Sequence, residues 1–225
     1  MSSEHTVRSF DEVMGAVAQD IARMDRLVRD QMRAVTRLLD EPDELLAHRV
    51  IDRDRELDKL HLRIEQEVPQ IIALRQPMAQ DLRQLMSYFG CAVDIERIGD
   101  HLKNSARRLI DLWSDGVTVE SRRLRDLAHK LEPLLERVLN ALDQGNAEEA
   151  LAAWYEDEEI DRRYDAVIEE LQESITGDPE HAADYVQQLF LAKALERIGD
   201  HATNIAEGIV YWITGERPTG HTKSR

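Results

Sequence analysis

The sequence predicts an all-α protein, a tandem repeat of two three-helix bundles whose six long helices are related by a pseudo-twofold. Three observations support this fold. Long runs rich in Ala, Leu, Arg, Glu and Asp favour helices. No stretch alternates polar and apolar residues over the length of a strand, and a six-residue segment occurs twice. Long helices joined by short turns are typical of bundles.

Helix-breaking residues set the predicted boundaries. Helices are expected at about 6–39, 43–74, 78–113, 120–142, 147–174 and from the turn at 176–179 to about 214, separated by segments that contain Pro or Gly. Pro69 is expected to kink the second helix near its end. We therefore divide the chain into a first three-helix repeat, residues 1–116, and a second, residues 117–225.

The strongest sequence signal is the internal repeat. Glu96-Arg97-Ile98-Gly99-Asp100-His101 returns as Glu196-Arg197-Ile198-Gly199-Asp200-His201, an offset of 100 residues (196 − 96). A weaker acidic pair precedes each copy, Asp54 and Asp58 in the first half and Asp157 and Asp161 in the second. Two half-chains built on one plan explain both pairs of matches.

The repeated acids are expected to face outward in side-by-side pairs. Residues four apart lie on one helix face, about one turn apart, and apolar residues fill the opposite face. In an antiparallel hairpin, positions equidistant from the turn lie level. The first-half pairs centre on residues 56 and 98, around the turn at 77, and the second-half pairs on 159 and 198, around the turn at 178–179.

Four converging carboxylates repel one another unless a cation neutralises them. Sites made only of oxygen suit Mg²⁺, Mn²⁺, Ca²⁺ or iron better than copper or zinc. The candidate metal ligands are Asp54, Asp58, Glu96, Asp100, Asp157, Asp161, Glu196 and Asp200. The alternative is that these acids are solvated, or neutralised by Arg97 and Arg197.

Composition limits the possible partners. A formal net charge of −16 disfavours binding to nucleic acid and anionic lipid, and suits divalent cations or basic partner surfaces. The single cysteine, Cys91, rules out an intramolecular disulfide and indicates a reducing compartment. The sequence shows no secretory signal pattern and no apolar run near about 20 residues, so a cytoplasmic protein is expected.

The other repeated residues receive plainer interpretations. His101 and His201 follow the aspartates and point about 100° away from them, so surface or hydrogen-bonded roles are expected rather than metal ligation. Gly99 and Gly199 lie within helices, where glycine costs roughly 1 kcal/mol relative to alanine. Close packing against a neighbouring helix is the expected reason.

Three segments resemble the PhoU family. Residues 194–207, Ala-Leu-Glu-Arg-Ile-Gly-Asp-His-Ala-Thr-Asn-Ile-Ala-Glu, resemble its second signature, residues 93–100 resemble its first, and residues 75–83 resemble the segment that opens its third helix. The resemblance implies a non-enzymatic negative regulator of phosphate uptake and the phosphate-starvation response. Its expected partners are the ATPase subunit of the phosphate ABC transporter and a sensor histidine kinase, so that it meets the membrane indirectly.

The resemblance also implies a metal site on the Glu/Asp-x-x-x-Asp motifs, which places the same eight acids as ligands of iron clusters or of divalent cations such as Mg²⁺, Mn²⁺ or Zn²⁺. A homodimer is expected. The first repeat departs from the pattern, because Lys103 and Ser105 stand where the second has Thr203 and Ile205. A lysine beside the first acidic pairs is expected to weaken cation binding there.

Two other functions are open at this point. A carboxylate-bridged di-iron enzyme would need Glu-x-x-His motifs on two helices with inward-facing ligands, and the sequence contains no Glu-x-x-His. A metal-free helical scaffold, whose acids bind only basic partner surfaces, differs from the metal-binding protein in its metal content.

Overall fold

The computed structural model describes residues 2–219, with side chains from residue 10 onward. Its elements are α1 (Ser2–Asp40), α2 (Glu44–Arg75), α3 (Ala79–Ser114), α4 (Arg122–Gln144), α5 (Ala147–Trp154), α6 (Asp157–Gly177), a 3₁₀ turn (Pro179–His181) and α7 (Ala182–Thr214). Residues 2–219 contain no strand, and the all-α prediction is confirmed. No helix in that range is both long and apolar enough to cross a membrane.

Local chemistry explains where most helices begin and end. The Asp43 side chain accepts a hydrogen bond from the Leu46 amide at 2.9 Å and caps α2. Ser121 caps α4 in the same way through the Leu124 amide at 3.1 Å. Gln76 ends α2 in the left-handed region, with φ 47°, immediately before Pro77. Since that proline lacks an amide hydrogen, the helix cannot continue.

The structure corrects the prediction of one continuous helix over residues 147–174. The chain turns at Tyr155 and Glu156, which separates α5 from α6. The indole of Trp154 is buried and its Nε1 donates to Glu207 Oε1 at 3.1 Å. On the outer side of this turn, the Arg137 guanidinium of α4 donates hydrogen bonds to the carboxylates of Glu149 and Glu156. By contrast, α2 stays helical through Pro69 to Arg75.

The helices form two three-part bundles. In the first, α1, α2 and α3 pack on one another, and in the second α4 and α7 pack with the broken pair α5 and α6. The most extensive contact between any two elements joins α3 to α7, and α1 also packs on α4. Buried apolar residues from both bundles form one cluster. The predicted tandem repeat is confirmed, and its halves share a core.

The contact between α3 and α7 carries the internal symmetry. The two helices run antiparallel, since Ser87 Oγ donates to the Gly208 carbonyl and Arg108 donates to Gln187 Oε1 near the other end. These two contacts are equivalent, because adding 100 to 87 gives 187 and subtracting 100 from 208 gives 108. The pseudo-twofold therefore passes between α3 and α7, close to the repeated motif.

Candidate functional site

In the first repeat, a lysine joins two of the predicted ligands. Lys103 Nζ lies 2.5 Å from Asp54 Oδ2 on α2 and 2.5 Å from Asp100 Oδ1 on its own helix. Asp54 is 3% exposed. Burial raises the pKa of Asp54 above its ordinary value, and the hydrogen bond and charge of Lys103 oppose that rise. Burial lowers the pKa of Lys103, but its two carboxylate partners outweigh this and raise it overall.

The other two acids of the first repeat lie apart from this bridge. Glu96 is half-buried, and burial raises its pKa, with the negative charge of Asp100 adding to the rise. Its Oε2 is buried, makes no hydrogen bond to any described residue, and lies 3.5 Å from Arg97 Nε. Asp58 is exposed on α2. The first repeat thus combines one bridged pair with two acids in different surroundings.

The second repeat keeps the acids but changes what surrounds them. Asp157 is 2% exposed at the start of α6, and Asp161 lies one turn further, half-buried. Lys193 Nζ lies 2.7 Å from Glu196 Oε2, an atom that is buried and makes no well-aligned hydrogen bond within residues 10–219. Arg197 lies 3.7 Å from Asp200. These ion pairs approach the α7 acids from the solvent side, because the side chains of Lys193 and Arg197 are 43% and 53% exposed.

Two aspartates do not face outward as predicted. Asp54 and Asp157 are buried, because each lies opposite a glycine of the repeated motif, where two helices approach closely. A Cβ added at Gly99 would lie 2.1 Å from Leu57 Cδ2 and 3.5 Å from Asp54 Oδ1. A Cβ at Gly199 would lie 3.1 Å from Ile160 Cγ2. The glycines therefore allow the close packing expected of them, and the aspartates lie beside them.

The structure brings Asp54 and Asp100 together around Lys103. Among residues 10–219, no three Asp, Glu, His or Cys side chains are grouped so that they could hold a metal ion as placed. Metal binding stays a prediction. Both sets offer only oxygen donors and contain a buried glutamate oxygen without an aligned hydrogen bond. The second set fits a hard cation better than the first because Thr203 replaces the lysine.

The two histidines meet at the pseudo-twofold. The rings of His101 and His201 lie 5.8 Å apart, tilted by 31°. His201 Nδ1 hydrogen-bonds to Asp94 Oδ1 at 2.8 Å, and Asn204 donates to the same oxygen at 3.1 Å. Burial lowers the pKa of His101, and the nearby His201 and Arg197 lower it further. The expected hydrogen-bonded role fits His201.

Asp94 was missed by sequence reasoning. It lies outside the repeated motif, and the equivalent residue in the second half is Ala194. The usable signal was this departure from the repeat, an acid in one half and alanine in the other. Its position on α3, facing His201 on α7, depends on how the two bundles dock.

A groove opens at one end of the α3–α7 contact, and the equivalent positions at the other end carry large side chains. It encloses about 500 Å³, and its lining includes Gly90 and Gly208, with Asp94 and Glu207 as its acids and Arg217 as its one basic residue. The positions equivalent to the two glycines are Phe190 and Arg108, and the guanidinium carbon of Arg108 lies 4.3 Å from the centroid of the Phe190 ring. Stacked side chains therefore fill one end, while glycines leave the other hollow and acidic.

Comparisons with known proteins agree along nearly the whole chain. A family model described as the PhoU domain matches residues 21–109 and 124–209. The chain is 36% identical over 218 residues to the phosphate-specific transport system accessory protein PhoU homolog of Caulobacter vibrioides, covering 96% of this chain and 95% of that protein. It is 38% identical to the homolog of Rhizobium meliloti, covering 98% and 93%.

Two crystal structures share the fold. PhoU from Pseudomonas aeruginosa superposes with a TM-score of 0.87 at 31% identity, covering 92% of this chain and 100% of that one. The phosphate transport system regulatory protein PhoU from Streptococcus pneumoniae gives a TM-score of 0.83 at 27% identity, covering 93% and 99%.

Proposed function

Because this chain belongs to the PhoU family, we propose that it is an accessory protein of phosphate-specific transport, a negative regulator of phosphate uptake and of the phosphate-starvation response. One observation carries the proposal: similarity to curated transport accessory proteins extends over 96% of the chain and includes both motif copies. The role is regulatory, and the protein acts by binding rather than by catalysis.

The proposed mechanism is that of an adaptor in the cytoplasm. One surface docks on the ATPase subunit of the phosphate ABC transporter and another on a sensor histidine kinase, so that the protein reaches the membrane through its partners. The two ends of the α3–α7 face support two different docking chemistries. One end is an acidic groove with Asp94 and Glu207, and the other presents the Arg108–Phe190 stack. The adaptor is proposed to act as a homodimer.

Cation binding is the finer part of this proposal. The second acidic set, Asp157, Asp161, Glu196 and Asp200, would hold iron or a divalent cation such as Mg²⁺ or Mn²⁺ through oxygen ligands. A bound cation would neutralise carboxylates whose mutual repulsion otherwise opposes close approach of α6 and α7. The support is the buried Glu196 oxygen and the absence of a lysine at position 203.

A deletion strain tests the regulatory role. Without the gene, a phosphate-starvation reporter should stay on at high phosphate, and a plasmid copy of the intact gene should restore repression. A reporter that remains phosphate-repressed in the deletion strain would reject the regulatory proposal, whatever metal the protein binds. Oxygen consumption by the iron-loaded protein would contradict the non-enzymatic role.

A double substitution tests the ligands. E196A/D200A should lower the manganese bound by the purified protein at least several-fold, because each ligand removed takes one negative charge from the site. The matched control is E169A/E173A, which removes two exposed acids with the same spacing on α6. Unchanged manganese content in E196A/D200A, with native helicity by circular dichroism, would reject this ligand set.

A further inference from the structure

The two acidic sets differ most sharply at one position. Lys103 follows Asp100 by three residues, and Thr203 follows Asp200 by three. Positions i and i+3 lie on one helix face, so each of these residues lies on the same face as the aspartate of its own motif. The chain therefore contains two versions of one site, one with a lysine three residues after the motif aspartate and one with a threonine there.

In the first repeat, the ammonium lies where a cation would be needed. Lys103 Nζ is 2.5 Å from an oxygen of each of Asp54 and Asp100, and both contacts are charge-assisted hydrogen bonds. The Lys103 side chain is 16% exposed and that of Asp54 is 5% exposed, so water screens these charges weakly. A single positive charge thus links the α2 and α3 acids.

In the second repeat, the equivalent side chain turns elsewhere. Thr203 is 4% exposed, and its hydroxyl donates to the Gly199 carbonyl of its own helix at 3.0 Å. The nearby lysine and arginine, Lys193 and Arg197, contact Glu196 and Asp200 from exposed positions on α7. No side chain at position 203 brings a positive charge to the α6–α7 set.

We propose that Lys103 is a built-in cation that neutralises the first acidic set and excludes divalent metal from it, so that the chain binds metal only at the second set. Metal binding at the second set rests on the proposed function, whereas the role of Lys103 at the first set rests on the contacts that Lys103 makes. The expected capacity is therefore about one divalent cation per chain rather than about two.

Reciprocal substitutions in the full chain test this, with Mn²⁺ as the probe and bound metal measured by equilibrium dialysis. K103T gives the first set the second set's residue, and bound Mn²⁺ should rise from about one per chain in the wild type to about two in K103T. T203K gives the second set a lysine and should lower binding to about none. K103M is the control, because it removes the charge but keeps the length that fills the space.

A thermal melt supplies a second readout. K103T should melt lower than wild type in chelator, because Asp54 loses its charged partner, and added Mn²⁺ should restore most of the loss. In K103M the same addition should raise the melting temperature only as much as it does in the wild type, through the second set. Since Thr203 is buried, T203K counts only if circular dichroism shows native helicity, and K103T carries the test by itself.

The outcomes separate the two proposals. No gain of Mn²⁺ in K103T overturns the role of Lys103. About two Mn²⁺ in the wild type, unchanged in K103T, overturns it too while leaving cation binding intact. No Mn²⁺ in the wild type with about one in K103T supports Lys103 and rejects the second set as a site.

Discussion

Asp25 is a buried acid whose surroundings, taken together, favour its neutral, protonated form. It is 2% exposed on α1 and accepts two hydrogen bonds from Arg29, at 2.5 and 3.1 Å. Arg29 also donates to the Glu136 carbonyl of α4 at 3.2 Å and lies 3.8 Å from Asp143. Burial raises the pKa of Asp25 from 3.8 to about 6; Asp143 adds to the rise, and Arg29 opposes it.

This raised pKa predicts a pH-dependent stability. The folded state binds the Asp25 proton more tightly than the unfolded chain, so the stabilisation is complete below pH 3.8 and is lost as pH rises through about 6. D25N cannot lose a proton. Relative to D25N, the wild type should lose about 1 kcal/mol of unfolding free energy between about pH 5 and pH 7. Urea denaturation at both pH values measures it, and a constant difference would contradict the assignment.

At the scale of elements, the start of α4 depends on one buried cap. Ser121 is 5% exposed, and its hydroxyl accepts from the Leu124 amide at 3.1 Å. Its own amide donates to Gln188 Oε1 of α7 at 3.4 Å, so the residue also fixes the start of α4 against α7 within the second bundle. The cap therefore satisfies an amide at the helix end and positions the segment that follows the first repeat.

Removing this cap should cost stability. S121A should lower the free energy of unfolding by about 1 kcal/mol, because the Leu124 amide loses its acceptor in a buried setting. S114A is the matched control, since the exposed Ser114 hydroxyl only donates to carbonyls of its own helix. Its effect should stay within about 0.5 kcal/mol. Equal losses in the two variants by urea denaturation would show that the cap contributes nothing specific.

The elements were predictable where local chemistry ends them. Pro77 and Pro179 mark the two hairpin turns, and Gly145 adopts φ 59° after α4, so these boundaries can be read directly from the sequence. The break after α5 has no such residue. Trp154 is buried against α7, and its partner Glu207 is 53 positions away, so tertiary packing decides this break and local sequence does not reveal it.

The candidate site was predictable in its residues and less so in its surroundings. The repeat identifies Glu96 and Asp100, and the spacing of three already suggests the contact between Asp100 and Lys103. The contact between Lys103 and Asp54 depends on how α2 packs on α3. The burial of Asp54 follows from the close approach of helices at Gly99. The glycine predicts a close approach, but the sequence does not show that Asp54 lies there.

At the scale of the whole molecule, we expect the contact between the two bundles to be sensitive to acid. His101 lies 5.8 Å from His201 across the pseudo-twofold, with Arg97, Arg197 and Asp100 also acting on it. Its pKa is lowered, first by burial and then by the charge of His201. The unfolded chain therefore binds this proton more tightly, and the contribution to stability is lost as pH falls below the ordinary value of 6.5.

A neutral replacement should remove this sensitivity. H101Q cannot gain the proton, so its stability relative to wild type should improve as pH falls from about 7.5 to about 5.5. Thermal denaturation at several pH values follows the difference. The direction is opposite to that expected for D25N, which makes each variant a control for the other. A difference that does not change with pH would remove His101 from the account of acid sensitivity.

The unequal ends of the α3–α7 face give the duplicated chain a direction. If both ends of the face were alike, a partner could bind in two equivalent orientations related by a 180° rotation. Gly208 lines a groove at one end, whereas Arg108 and the Phe190 ring stack at the equivalent place at the other. A partner that fits the groove therefore binds in one orientation, which fixes the direction in which the rest of that partner extends.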